Sequence, residues 1–356
     1  MHLKARLKIY NEDVELNIDD VLKNLKKEKQ YTIPIFIPHL GCKHECVFCN
    51  QRKISGAMRA PTTEDVKNTI DKYLSYFDNT AKIQIAFFGG SFTGIKIAEQ
   101  EKYLKIAYEY VKSGRVDSIR LSTRPDYISE PILNLLKTYK VKSIELGVQT
   151  MSEDVLMASK RGHSAIDVIN AANLINSYGF DLGFQIMIGL PKSTALKEVK
   201  TINTLLRYNP KELRIYPVYV INPSELYDMY LSKEYVPLTI SQSIDRTYQV
   251  VKECLKSNIK IIRLGLQSTD EITQNNKEIL GPVCDNFAEY VFARLALDKI
   301  EPIIVKLKSK NSNLNEVTFN ISKSTPISFV IGPKKINEKY IFDKYKVKIR
   351  AKVIEK

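Results

Sequence analysis

The sequence predicts an α/β fold, a partial (β/α)6-type TIM barrel followed by a small strand-containing C-terminal extension. Three observations carry the prediction. Short apolar runs alternate with longer amphipathic stretches, the pattern of parallel strands joined by helices. At least six such units follow one another, and the residues suited to chemistry fall at or just after the ends of the apolar runs, where a barrel gathers its site. The chain has 356 residues, 44% of them hydrophobic, which is enough to bury a barrel-sized core.

Taken in order, 33–37 reads as the first strand and leads into a cysteine-bearing loop, and 63–76 has helical spacing with Thr62 or Thr63 as its N-cap. The next strand, 83–88, runs into Gly89-Gly90-Ser91-Phe92 and a helix over 97–112. Strands at 118–122, 143–148 and 181–188 alternate with helices near 131–139 and 166–178. Helices near 197–207 and 240–256 precede the last two strands, 212–218 and 259–264. From about residue 300 apolar and polar residues alternate, as in Val317-Thr318-Phe319-Asn320-Ile321. The expected division is an N-terminal extension over 1–30, a core barrel over 31–299 and a C-terminal extension over 300–356.

Lys and Arg number 54 against 40 Asp and Glu, a formal charge of +14. Such an excess draws polyanions, nucleic acid first among them, although a Lys-, Ile- and Asn-rich composition also yields it. No apolar stretch reaches membrane-span length and the first residues lack a signal-peptide core, so a cytoplasmic protein without a membrane partner is expected. Five cysteines, three crowded into eight residues, do not read as a disulfide framework. Cys42, Cys46 and Cys49 form a C-x₃-C-x₂-C run. Three thiolates are one too few for a [4Fe–4S] cube, so one iron would stay open to a small molecule. A structural zinc loop completed by His39 or His44 fits the same spacing.

Beyond this run the chain resembles the radical S-adenosylmethionine superfamily, and within it the elongator complex protein 3 branch, over roughly residues 30 to 290. Cys42, Cys46 and Cys49 match the family's cluster ligands, and Phe48 matches the aromatic position beside the adenine. Gly89-Gly90-Ser91-Phe92 is similar to the glycine-rich stretch that meets the methionyl amino group. Ser122-Thr123-Arg124-Pro125-Asp126 resembles a "TRPD" motif, with Ser122 standing where the branch has a glutamate facing the cofactor; Arg124 and Asp126 are expected to pair and hold the loop. Glu145-Leu146-Gly147-Val148-Gln149 resembles the "GVQ" strand end, with Gln149 on the cofactor. Lys160-Arg161-Gly162-His163 resembles "KRGH", with Arg161 near the cofactor carboxylate, and Gln185 precedes a "GLP" strand end with its amide turned inward.

The resemblance implies a [4Fe–4S] cluster and S-adenosyl-L-methionine as cofactors, and reductive cleavage to a 5′-deoxyadenosyl radical. It also implies reduced flavodoxin or ferredoxin as electron donor and tRNA, modified at the wobble uridine, as partner. Fewer than about seventy residues follow the barrel, below the roughly 100-residue mode of a domain, so the reading is the branch without its acetyltransferase domain. Two alternatives stay open: an oxidoreductase of the coproporphyrinogen dehydrogenase type acting on a small molecule, and a non-catalytic nucleic-acid-binding protein with a metal loop. Neither the catalytic residues that act on the substrate nor the oligomeric state can be read from the sequence.

Overall fold

The computed structural model of the protein describes residues 11–18, 30–37, 41–42, 44–50, 59–78, 81–266, 276 and 278–354; His39 lies outside them. In chain order the first elements are β1 (Asn11–Glu15), β2 (Gln30–Ile37), α1 (Thr63–Tyr76), β3 (Lys82–Gly89), α2 (Ile97–Lys112) and β4 (Ser118–Thr123). There follow α3 (Glu130–Thr138), β5 (Val141–Gln149), α4 (Glu153–Ala158), α5 (Ala165–Ser177), β6 (Asp181–Ile188), α6 (Ala195–Leu205) and β7 (Glu212–Pro217). The later elements are β8 (Val220–Ile221), α7 (Glu225–Leu231), α8 (Ile240–Cys254), β9 (Lys260–Leu264), β10 (Ile279–Leu280) and α9 (Phe287–Lys310). The chain closes with β11 (Glu316–Ser322), α10 (Ile327–Ile331), α11 (Ile336–Tyr345) and β12 (Lys348–Ile354).

Seven parallel strands form one open sheet in the order β2-β3-β4-β5-β6-β7-β9, a partial barrel. Local chemistry starts the helices where the spacing predicts. Thr62 caps α1 in a full capping box with Asp65, and Ser164 does the same for α5 with Asp167, each satisfying N–H groups that the first turn leaves unpaired. The strands divide their side chains between two faces, as a period of two requires. On the convex face Ile85, Phe87, Leu121, Ile144, Leu146, Phe184, Ile186 and Ile215 are buried in one continuous core, each contributing about 1.5–3 kcal/mol by burial. The concave face carries Arg120, Ser122, Glu145, Gln185 and Arg214, whose register neighbours on adjacent strands stand side by side.

The chain's tail departs from its local pattern. Helix α9 runs unbroken through residue 300, where the apolar spacing changes. It is buried on several sides and contains Pro302, so it shows no single apolar stripe to betray it. Strand β11 lies between β12 and β1, both parallel to it. The N-terminal strand and the C-terminal segment therefore share one sheet, a pairing across about three hundred residues that no local period can reveal.

Candidate active site

The cysteine loop follows β2 and is clamped from two sides. On one side Val47 N–H donates to the Ser159 carbonyl at 3.2 Å, and Arg161 Nη1 donates to Cys46 Sγ at 3.0 Å. His44 lies over Gly162, whose φ of 72° and missing side chain both serve the contact, because a Cβ there would drive into the imidazole. On the other side Leu226 N–H donates to the Val47 carbonyl at 2.8 Å, and Asn50 Nδ2 donates to the Pro223 carbonyl at 2.8 Å. Val47 and Phe48 enter an apolar cluster with Val155, Leu190, Val218 and Leu226. The loop's start is as tightly held. Gly41, with φ 77°, sits against the Ser91 carbonyl where no Cβ would fit, and Cys42 Sγ lies 3.7 Å from Ser91 Oγ.

The strand ends bring the other singled-out residues to the same mouth. Gly89 ends β3, and Gly90 N–H donates to the Ile37 carbonyl at 2.8 Å, tying the glycine turn to the strand that launches the cysteine loop. A register shift between β5 and β6 leaves Gln149 with φ 67°, a left-handed conformation that non-glycine residues rarely adopt and that clusters at functional sites. The Gln149 amide and the Arg161 guanidinium both lie over Gly147, whose carbonyl accepts from Arg161 Nη2 at 2.6 Å. Arg124 and Asp126 form a bidentate pair at 2.9 and 3.0 Å and hold their loop.

Below the mouth a polar network lines the concave face. Gln185 Nε2 donates to Ser122 Oγ at 3.0 Å and to Glu145 Oε2 at 2.8 Å. Glu145, 1% exposed, accepts a fork from Arg214 at 2.7 and 3.1 Å, and Arg120 stands 3.1 Å away. Arg120 also pairs with Glu212. Burial by itself would raise the Glu145 carboxyl, but Arg214 and then Arg120 outweigh it and hold it below the usual carboxylate range. It therefore stays ionised in the barrel. His163 is buried as well. Burial first, then Arg161 and Arg124, push its pKa down to about 3, so it is neutral at physiological pH.

Sequence reasoning passed over Glu145 and Arg120, although Glu145 stands inside the "GVQ" segment. The signal available was physical: a charged residue in a parallel strand that is otherwise apolar must have a buried partner. The register supplies what Ser122 raised as a question. Its direct partner on β5 is Glu145, so a carboxylate stands one strand away from the position that lacks one, already engaged by two arginines.

Residues 36–205 match the family model of the Radical SAM superfamily, and residues 210–296 match that of the Radical SAM C-terminal domain. The chain belongs to the radical SAM superfamily. This radical SAM protein is 30% identical over 186 residues to the tRNA uridine(34) acetyltransferase of Methanocaldococcus infernus, a match over 47% of this chain and 35% of that enzyme. It thus spans about a third of that relative's length. An uncharacterized protein of Methanocaldococcus jannaschii is 27% identical over 303 residues, 81% of this chain and 88% of the relative. Among solved structures, that of the archaeal Methanocaldococcus infernus Elp3 with an N-terminal deletion has a similar fold. Its TM-score is 0.61 at 20% identity, over 78% of this chain and 64% of the other.

The superfamily uses a [4Fe–4S] cluster and S-adenosylmethionine; among the described residues no three His, Cys, Asp or Glu side chains converge as a metal site, so it is the chemistry of the donors that suits the cluster. Three soft thiolate donors share one clamped loop. Beside it Gln149 Oε1 and Arg161 Nε are buried without a hydrogen-bond partner among the described residues, as suits a site that receives a polar small molecule. Among the described residues no helix is long and apolar enough to cross a membrane.

Proposed function

We propose that this radical SAM enzyme modifies tRNA at the wobble uridine. The observation that carries the reading is the 30% identity to a tRNA uridine(34) acetyltransferase. The formal charge of +14, which favours a polyanionic partner, supports it independently. In this reading Cys42, Cys46 and Cys49 hold the cluster. Arg161 and Gln149 hold the polar end of S-adenosylmethionine, Gly89 and Gly90 let it approach the β3 backbone, and Phe48 packs beside its adenine. When bound, the cluster and S-adenosylmethionine supply a 5′-deoxyadenosyl radical. Reduced flavodoxin or ferredoxin delivers the electron, and the cytoplasm is the place of work.

The chain's own residues position and enclose. Glu145 and Ser122 take both N–H bonds of the Gln185 amide, so its carbonyl oxygen is the atom left to meet a ligand donor. Arg214 and Arg120 keep Glu145 charged and fixed, which sets that orientation before any ligand arrives. The test compares nucleosides of tRNA from wild-type cells and cells lacking the gene. One modified uridine should disappear in the deletion and return with the wild-type gene but not with Cys46→Ala. An unchanged profile overturns the reading.

A further inference from the structure

The charge of this chain is unevenly placed. Residues 300–356 hold 13 Lys and Arg against 5 Asp and Glu, so this short tail carries a formal +8 of the chain's +14. Neither family model reaches it, since the second ends at residue 296. Three of these basic residues are displayed on one element. Strand β12 is the edge of its sheet, and Lys348, Arg350 and Lys352 are exposed along it at every second residue, hence on one face and about 7 Å apart. Arg350 pairs with Glu316 of β11 at 3.1 Å yet remains 57% exposed. The other positions facing them across β11, Thr318 and Asn320, are uncharged, and the acidic Asp13 and Glu15 stand one strand further away on β1.

At the head of the strand Lys346 extends the strip. Its Nζ lies 5.6 Å from the centre of the Phe342 ring, and Phe342 is 49% exposed. Lysines on an edge strand have a simpler use, since they discourage edge-to-edge association. That use accounts for the charges but runs against the aromatic ring. A purely protective edge gains nothing from an uncovered phenylalanine, whereas single-stranded nucleic acid takes both features together, phosphates along a basic row and a base on an aromatic face.

We propose that the β12 edge, with Phe342 at its head, is a docking surface for an unpaired segment of RNA. The proposal rests on the tRNA reading above and adds the surface that anchors the substrate apart from the radical site. Membrane and acidic-protein surfaces share the charge preference but offer no planar base for the ring.

The test uses the full chain with its cluster reconstituted, and unfractionated tRNA as probe, with binding followed by fluorescence anisotropy at several salt concentrations. Replacing Lys346, Lys348, Arg350 and Lys352 together by Gln should weaken binding at least tenfold and flatten the slope of log affinity against log salt by about 3, as expected for four lost phosphate contacts. Phe342→Ala should weaken binding on the order of tenfold with the salt slope unchanged. In both variants 5′-deoxyadenosine formation without RNA should match wild type, which also reports a folded core. Wild-type binding that both variants retain, with the same slope, overturns the docking surface and leaves the tRNA reading standing. Wild-type protein that binds no tRNA at any salt overturns both.

Discussion

The two faces of the seven-stranded sheet come from the same strands and do opposite work. On the convex face Phe184, Ile186 and Leu146 are buried against helices, while one residue along, the concave face presents Gln185, Glu145 and Arg214 to each other. A closed TIM barrel fills its interior with layers of branched apolar side chains. This open one keeps a charged network there, in which Glu145 is paired with Arg214 and Arg120 while Arg120 Nε has no hydrogen-bond partner among the described residues. Apolar packing is concentrated on one face and polar chemistry on the other, separated by a single residue of register.

Adjacent residues on β6 offer the sharpest way to break this comparison. Phe184→Ala should cost about 3–5 kcal/mol of stability, while the surviving folded enzyme keeps its rate of S-adenosylmethionine cleavage. Gln185→Ala should reverse the emphasis, costing only about 1–2 kcal/mol for the two hydrogen bonds it removes while cleavage falls at least tenfold. Urea titration of both variants, paired with 5′-deoxyadenosine assays, checks it, and equal stability losses would dissolve the distinction between faces.

Glu145→Gln probes the concave network from inside. It leaves Arg120 and Arg214 facing each other in a buried site, and removing one partner of such a group costs about 3 kcal/mol or more. Chemical denaturation measures the loss. Glu145→Gln combined with Arg214→Met should recover part of it, because the second change removes an uncompensated charge.

Acid should destabilise the fold through two buried groups, His163 in the segment before α5 and Glu145 on the concave face. His163 titrates at about 3 when folded and near 6.5 when not. Between these values the unfolded chain binds the extra proton, so stability is lost as pH falls from about 6.5 toward 3, by about 2 kcal/mol at pH 5. Below about 4.5 the lowered Glu145 carboxyl adds a loss of the same sign. Stability curves of wild type and His163→Gln should differ in slope between pH 6.5 and 5, and parallel curves would remove His163 from this account.

The convex face was legible in the sequence because each of its strands repeats an apolar residue at period two or in a short run, and the predicted strand and helix positions follow from that local signal. The cysteine loop and the glycine turn were visible too, since their chemistry is written in contiguous residues. Glu145 was not, because its partners Arg120 and Arg214 lie on other strands, 25 and 69 positions away, and only the register brings them together. The same limit hid β1 against β11. Helix α9 escaped for another reason: buried on several sides and carrying Pro302, it imitates neither an amphipathic helix nor a strand. Phe342 and the β12 lysines appeared in the sequence only as charge, and needed the sheet's edge to become a surface.

The most direct measurement of the central claim is the yield of 5′-deoxyadenosine from anaerobically reconstituted protein given reductant and S-adenosylmethionine. Wild-type protein should bind about four irons, absorb near 400 nm and release 5′-deoxyadenosine, while Cys42→Ala, Cys46→Ala and Cys49→Ala should each lose the colour and the product without unfolding. A wild-type protein with an intact cluster that leaves S-adenosylmethionine uncleaved, or a cysteine variant that still cleaves it, would contradict the account.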